Sequence, residues 1–250
     1  MKELITILSI ITLAALAVAF VGCPADNGLV GTLQFYAEGE ERAREGLVSK
    51  DGWSITFDHI YVTLSDITAY QTDPPYDPQT QTNIDHKVKA SLQGTYTVDL
   101  ARTGGVDDPR KLVGEVSGQP AGHYNAISWR IVKTETGPAA GYSLLMIGTA
   151  EKDGETVDFT IGVDQRVEFR GGEYVGDERK GILESGSTAD LEMTFHLDHI
   201  FGDGLKAPDD EINLDSLGFE PLRTDSGALD LAQLHVAHVG EGHCRVIPLE

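Results

Sequence analysis

Apolar and polar residues alternate with a period of two in one short segment of this chain after another. Such a period places apolar side chains on one face of a β-strand and polar side chains on the other. Turn residues separate the segments, and Asp153-Gly154 predicts a tight hairpin because both positions tolerate positive φ angles. The alternation predicts strands at 29–36, 53–58, 60–64, 96–100, 123–132, 143–150, 156–163 and 191–197. We therefore predict an all-β fold, an antiparallel β-sandwich with at most one or two short helices.

Two regions depart from this pattern. Residues 71–90 contain Asp73-Pro74-Pro75 and lack apolar periodicity, which predicts a long exposed loop. The C-terminal segment from about residue 202 is acidic and loop-rich. Within it, Leu231, His235 and His238 have the spacing of one helical face, which predicts a helix between about 228 and 239.

The N-terminus has the plan of an export signal. An uncharged apolar run extends from Leu4 to Val21, ends at Gly22-Cys23 and gives way to a polar stretch, unlike a membrane-spanning helix with its anchoring flanks. Phe20-Val21-Gly22-Cys23 resembles the lipobox of bacterial lipoproteins, although Phe20 stands where leucine is usual. An ordinary secreted protein with a cysteine in its signal is the alternative.

These features predict the organisation of the whole chain. Residues 1–22 are predicted to be a signal peptide, Cys23 the lipidated residue and 23–28 a tether. Residues 29–250 are then one β-sandwich domain with a C-terminal extension from about 202. A multiply acylated cysteine holds a protein durably at a membrane. We therefore expect the protein in the bacterial cell envelope, on its periplasmic or extracellular face.

The charge and the cysteine count limit the partners and the crosslinks. The formal net charge is −21, with 19 basic and 40 acidic residues, which disfavours nucleic acid and anionic lipid as partners. If Cys23 is lipidated, Cys244 is the only remaining thiol, so no internal disulfide can form. The fold must then be held together by its core.

The densest group of potential metal ligands is His196, Asp198 and His199, at the end of a predicted strand. Side chains from both faces can converge on one ion where a strand ends, and imidazole with carboxylate suits a divalent transition metal such as zinc or copper. We predict His235 and His238 as further ligands from the C-terminal segment. The alternative is a polar strand face that ends in an ordinary turn.

Some phrases of the sequence resemble known families. Asp51–His59, Pro120–Tyr124 and Gly148–Gly154 are similar to poorly characterised bacterial lipoproteins with β-sandwich domains. Proteins of that broad kind include the copper-binding partner proteins of methanobactin, so the resemblance implies a sandwich fold and makes copper a candidate ligand. His196-x-Asp198-His199 also resembles the second half of the H-x-H-x-D-H motif of metallo-β-lactamase-type hydrolases. Thr194 occupies the place of the first histidine of that motif.

The sequence thus favours a lipid-anchored extracytoplasmic binding protein that holds a divalent transition metal for storage, delivery or sensing. Motifs for a nucleophile elbow, a zinc protease, a P-loop or a dinucleotide fold do not occur in the sequence. We therefore do not predict an enzyme, and a metal-dependent hydrolase is only a third interpretation. The alternative class is a metal-free surface or structural lipoprotein that recognises a protein or glycan in the envelope through loops such as 71–90.

Overall fold

The computed structural model describes residues 29–105, 108–172, 180–240 and 242–250. The predicted signal peptide, Cys23 and the tether, residues 1–28, lie outside the described residues. Within the described ranges, no helix has the length and apolar character that crossing a bilayer requires.

Strands make up most of the regular structure, and the helices are short. The strands are β1 (Val30–Glu38), β2 (Leu47–Val48), β3 (Ser54–Gln71), β4 (Val88–Asp99), β5 (Lys111–Pro120), β6 (Gly122–His123), β7 (Ala126–Ile131), β8 (Leu144–Lys152), β9 (Glu155–Val163), β10 (Val167–Gly172), β11 (Ile182–Leu183), β12 (Thr188–Phe195), β13 (Ala237–Val239), β14 (Gly242–His243) and β15 (Arg245–Pro248). The helices are α1 (Glu40–Glu45), α2 (Asp198–Phe201), α3 (Glu211–Asp215) and α4 (Glu220–Thr224), followed by a 3-10 turn at Ser226–Ala228.

The strands form two main sheets and one small one. The first sheet has the order β14-β13-β12-β1-β5, and the second has the order β15-β10-β7-β3-β8-β9, with β2 and β4 also paired to β3. β6 and β11 make a separate pair. Neighbouring strands are antiparallel except β1 and β12, which run parallel from Thr32 opposite Thr188 to Glu38 opposite Thr194. The all-β prediction is confirmed, and within the described ranges this is the one parallel strand pair.

One apolar core joins the two main sheets. Along β1 every second residue is buried, including Leu33 and Phe35, as the alternation predicts. Their counterparts on the second sheet include the buried Trp129. The centroids of its ring and of the Phe195 ring on β12 are 6.3 Å apart, in an edge-to-face arrangement. Such contacts stabilise the packing of the two sheets beyond the burial of area alone. The hairpin at Asp153-Gly154 is confirmed, with φ angles of 52° and 87°.

The C-terminal segment differs from its prediction. The expected helix between about 228 and 239 is wrong, because residues 226–228 form a 3-10 turn and 237–239 form β13, which pairs with β12. The backbone hydrogen bonds that an open sheet edge offers determined the conformation of this segment more strongly than the helical spacing of Leu231, His235 and His238. β13 and β14 extend one edge of the first sheet, and β15 forms an edge of the second. The segment is therefore part of both sheets.

The number of helices and the bounds of the long loop also differ from the prediction. The described residues hold four short α-helices, of four to six residues each, where one or two were expected. The loop predicted at 71–90 spans 72–87, because β3 continues to Gln71 and β4 begins at Val88. It is exposed over most of its length, but Thr72 and Tyr76 are buried and tie its first half to the domain.

Candidate metal centre

His196 and His199 are brought together by the way β12 ends. The backbone N–H of His196 donates to the Val236 carbonyl at 2.9 Å, and α2 begins two residues later. α2 ends at Gly202, whose φ of 72° suits glycine and whose N–H donates to the Asp198 carbonyl at 2.7 Å. The single helical turn places the two imidazole rings with their centroids 5.7 Å apart.

His238 reaches the same place from the neighbouring strand. It lies on β13 directly opposite Thr194 of β12. Its ring is stacked on that of His196, with centroids 4.0 Å apart and planes inclined by 22°. Its centroid lies 5.1 Å from that of His199. One ring nitrogen from each of the three residues lies within 4.8 Å of the other two, so the three histidines could hold a metal ion.

The burial of these rings leaves polar atoms without partners. His238 is only 5% exposed. Nε2 of His238 and Nε2 of His196 are buried and have no hydrogen-bond partner among the described residues. Buried polar groups are normally hydrogen-bonded, and an unsatisfied one costs about 1–3 kcal/mol. Two such nitrogens lie in adjacent, stacked rings, and a ligand that accepts their lone pairs would satisfy both; Oδ1 of the neighbouring Asp198 is likewise buried without a hydrogen-bond partner among the described residues.

Asp198, predicted as a ligand, lies beside the three histidines and not among their closest ligating atoms. Its Oδ2 forms an ion pair with Nε of Arg42 at 3.1 Å, and its Oδ1 lies 3.9 Å from Nδ1 of His196. Glu40 Oε2 is 3.6 Å from the same Nδ1. Arg42 also binds Asp203, with Nη2 2.8 Å from Oδ2. The carboxylates thus surround the side of His196 that faces away from its unpartnered Nε2.

The electrostatics keep two of the rings neutral at neutral pH. Burial lowers the pKa of His199 to about 4, and this effect outweighs the negative charge of Asp198, which acts in the opposite direction. Burial lowers the pKa of His238 further still, and the neighbouring histidines add to the shift. A neutral imidazole has a free lone pair, which is the form that binds metals.

His235 and His243 form the outer part of the cluster. His235, also predicted as a ligand, is exposed, and its ring is stacked on that of His243 with centroids 4.8 Å apart. His243 lies opposite His238 in the β13–β14 pair, with ring centroids 4.3 Å apart. Burial and the nearby His235 lower the pKa of His243. The structure therefore gathers five histidines, of which His196, His199 and His238 have the closest ligating atoms.

Sequence reasoning grouped His243 with His235 and His238 but did not include it among the ligands, and it missed the contributions of α1. Gly240 and Gly242 predict that the chain turns back between His238 and His243, and the β13–β14 pair sets these two residues opposite each other. Glu40 and Arg42 gave no signal, because they meet His196 and Asp198 only through the fold. Cys244, next to His243, belongs to the apolar core, and burial raises the pKa of its thiol far above the usual range.

No protein-family model, curated protein sequence or solved structure matches the chain. The resemblances of the sequence to lipoproteins and to metallo-β-lactamase-type enzymes stay predictions.

Proposed function

We propose that this chain is a lipid-anchored extracytoplasmic protein that binds a divalent transition metal ion, zinc or copper, for storage, delivery or sensing. The ligands in this proposal are His196, His199 and His238. Asp198, with Glu40, would support His196 from outside the ligand set, and His235 would lie next to it.

One observation carries the proposal: two adjacent histidines, His196 and His238, each bury an Nε2 atom that has no partner among the described residues. A metal ion bound to both nitrogens would satisfy them, and His199 would supply a third donor. An all-imidazole set suits zinc or copper, and it does not suit calcium or magnesium, which take oxygen ligands.

The geometry is compatible with this coordination. Nitrogens bound to zinc lie about 2.0–2.1 Å from the ion, which puts tetrahedral neighbours about 3.4 Å apart. The ligating nitrogens lie within 4.8 Å of one another, so a modest inward rotation of the rings would close the site. Three protein ligands leave one position for water or for a ligand from a partner. A carboxylate hydrogen-bonded to the far nitrogen of a bound histidine fixes its tautomer and orientation. Glu40 Oε2 and Asp198 Oδ1 lie 3.6 and 3.9 Å from Nδ1 of His196, so either would take this role after a small approach.

The anchoring half of the proposal rests on the sequence alone. An uncharged run that ends in Val21-Gly22-Cys23 supports lipidation at Cys23, which would hold the domain at a membrane surface.

Isothermal titration of the metal-stripped full chain, purified in detergent, with zinc, copper and nickel tests the proposal. We expect about one equivalent of metal ion to bind at the three proposed ligands. Each of the variants His196→Ala, His199→Ala and His238→Ala should weaken binding at least tenfold. His86→Ala is the matched control, because His86 lies in the exposed loop between β3 and β4. A metal at about 100 times its Kd should stabilise the fold by about 2.7 kcal/mol. The absence of heat with all three metals, or equal affinity in all four variants, would refute the metal site and favour the metal-free binding protein.

A further inference from the structure

A cavity of about 250 Å³ opens beside the three proposed ligands. One of them, His199, forms part of its wall, together with His235 and His243. Three acidic residues from α3 and the residue before it, Asp210, Glu211 and Asp215, also line the cavity, together with Ile212 and Lys206.

The cavity brings solvent to His199, one of the three ligands of the proposed centre. His238 is almost completely buried, so an ion must pass other groups to reach it. The histidines form a graded series from the surface inward: His235 is exposed, His243 and His199 are half-buried, and His238 is buried. Ring centroids along this series are 4.8 Å apart for His235 and His243, and 4.3 Å apart for His243 and His238. His199 lies 5.3 Å from His243 across the cavity wall. Each step is short enough for an ion to exchange one imidazole for the next.

The charge of the cavity favours a cation. Among the described residues, three carboxylates line it and Lys206 is the one basic side chain in its wall, with Nζ 3.5 Å from Oδ1 of Asp210. The charge of Lys206 is balanced by Asp210, so Glu211 and Asp215 give the cavity wall a net negative charge. A cleft lined by charge of one sign raises the local concentration of counter-ions and speeds their association.

We propose that this acidic cavity is the port through which the metal ion reaches the centre, and that His235 and His243 carry the ion from the cavity to His196, His199 and His238. The inference rests on the proposed function and adds a route to it. The ion arrives hydrated, exchanges water for the imidazoles of His235 and His243, and exchanges these in turn for the inner imidazoles. No charge state of the metal changes, and no bond other than metal–ligand bonds forms or breaks.

A residue on a route and a residue in the final ligand set have different kinetic signatures. A route is used in both directions, so its loss slows loading and release by the same factor and leaves Kd unchanged. The loss of a final ligand mainly speeds release and therefore raises Kd.

The test is the stopped-flow rate of zinc loading of the metal-stripped full chain in detergent, and the rate of zinc release to an excess of a chromophoric chelator. In the double variant His235→Ala/His243→Ala we expect both rates to fall about tenfold or more, with Kd within about threefold of the parent. The control is His86→Ala/His123→Ala, which removes two exposed histidines outside the cluster and should leave both rates unchanged. His235→Gln/His243→Gln preserves side-chain bulk and repeats the test if the alanine variant unfolds.

A second variant tests the charge of the cavity independently. Glu211→Gln/Asp215→Asn should slow loading about tenfold at low salt, and the difference from the parent should shrink as salt is added. Asp85→Asn/Glu151→Gln makes the same change in net charge at exposed positions elsewhere and should have little effect.

The outcomes separate the two proposals. If the parent binds zinc tightly and the His235/His243 variant loads at the parental rate, the port is wrong and the metal site stands. If that variant raises Kd through faster release alone, the two histidines are ligands and the port is again wrong. If the parent binds no zinc at all, the proposed function fails, and the port fails with it.

Discussion

Acidification should destabilise the metal-free protein, and two histidines of the centre should account for a measurable part of the loss. In the folded chain, burial lowers the pKa of His199 to about 4 and that of His238 further. Both return to about 6.5 on unfolding. Between pH 6.5 and 4 the unfolded chain therefore binds more protons than the folded one, so the free energy of unfolding falls as the pH falls. Well above pH 6.5 neither the folded nor the unfolded chain holds these protons, so the two residues contribute no pH dependence there.

The size of this effect follows from proton linkage. Each extra proton on the unfolded chain changes the free energy of unfolding by about 1.4 kcal/mol per pH unit. Two histidines thus set an upper limit of about 3 kcal/mol per pH unit, and the half-buried His199 contributes less than its full share because solvent screens it. Domains are typically stable by about 5–15 kcal/mol, so the loss is large enough to measure.

The assay is urea unfolding of the metal-stripped full chain in detergent at several values between pH 7.5 and 4.5, compared with the double variant His199→Gln/His238→Gln. Carboxylates that titrate below pH 5 act alike in both proteins, so the difference between the two slopes isolates the histidines. The variant should lose stability less steeply than the parent below pH 6.5, and His86→Gln/His123→Gln should follow the parent. Identical slopes in all three proteins would refute the argument that burial keeps these rings neutral.

Three further predictions concern the framework and the anchor. A Cβ atom on Gly171 would lie 2.2 Å from Cγ2 of Val239, so Gly171→Ala should push β10 and β13 apart. Urea unfolding should show a loss of about 1–3 kcal/mol in the free energy of unfolding. The control Gly105→Ala, where a Cβ atom meets no described atom within 4 Å, should change it by less than about 0.5 kcal/mol. Arg42→Ala should lower the free energy of unfolding by about 1–3 kcal/mol, because Asp198 and Asp203 would lose their shared cation. If the loss is no larger than that of the control Arg102→Ala, at an exposed arginine, the ion pairs of Arg42 do not stabilise the fold. Cys23→Ala should shift the protein from the membrane fraction to the soluble fraction or stall its processing, and a processed variant that still sediments with membranes like the parent would rule out the lipid tether.

The sequence was most informative where strands alternate and turns are explicit. β1 and the β8–β9 hairpin have the expected period or turn residues, and their positions are confirmed within a few residues. The single 18-residue strand β3 was predicted as two pieces, because register shifts near His59 and Asp66 interrupt the period without ending the strand. β13 and β14 are too short for any period to show. They form because the edge of β12 offers unpaired backbone groups, which is a property of the fold.

The same distinction applies to the candidate centre. His196 and His199 were predicted because one strand end and one turn supply both. His238 was also predicted, although through a helix that does not form, and it arrives by pairing with Thr194 across two strands. The support that Asp198 receives from Arg42 joins residues 156 positions apart in the sequence, and local patterns contain no information on such a pair.

X-ray absorption of the full chain loaded with one equivalent of zinc counts the imidazoles bound to the ion. We expect three imidazole nitrogens at about 2.0–2.1 Å, and one fewer in His238→Ala, with His86→Ala unchanged. A first shell made of oxygen alone, or a parent and a His238→Ala variant with the same shell, would contradict this expectation.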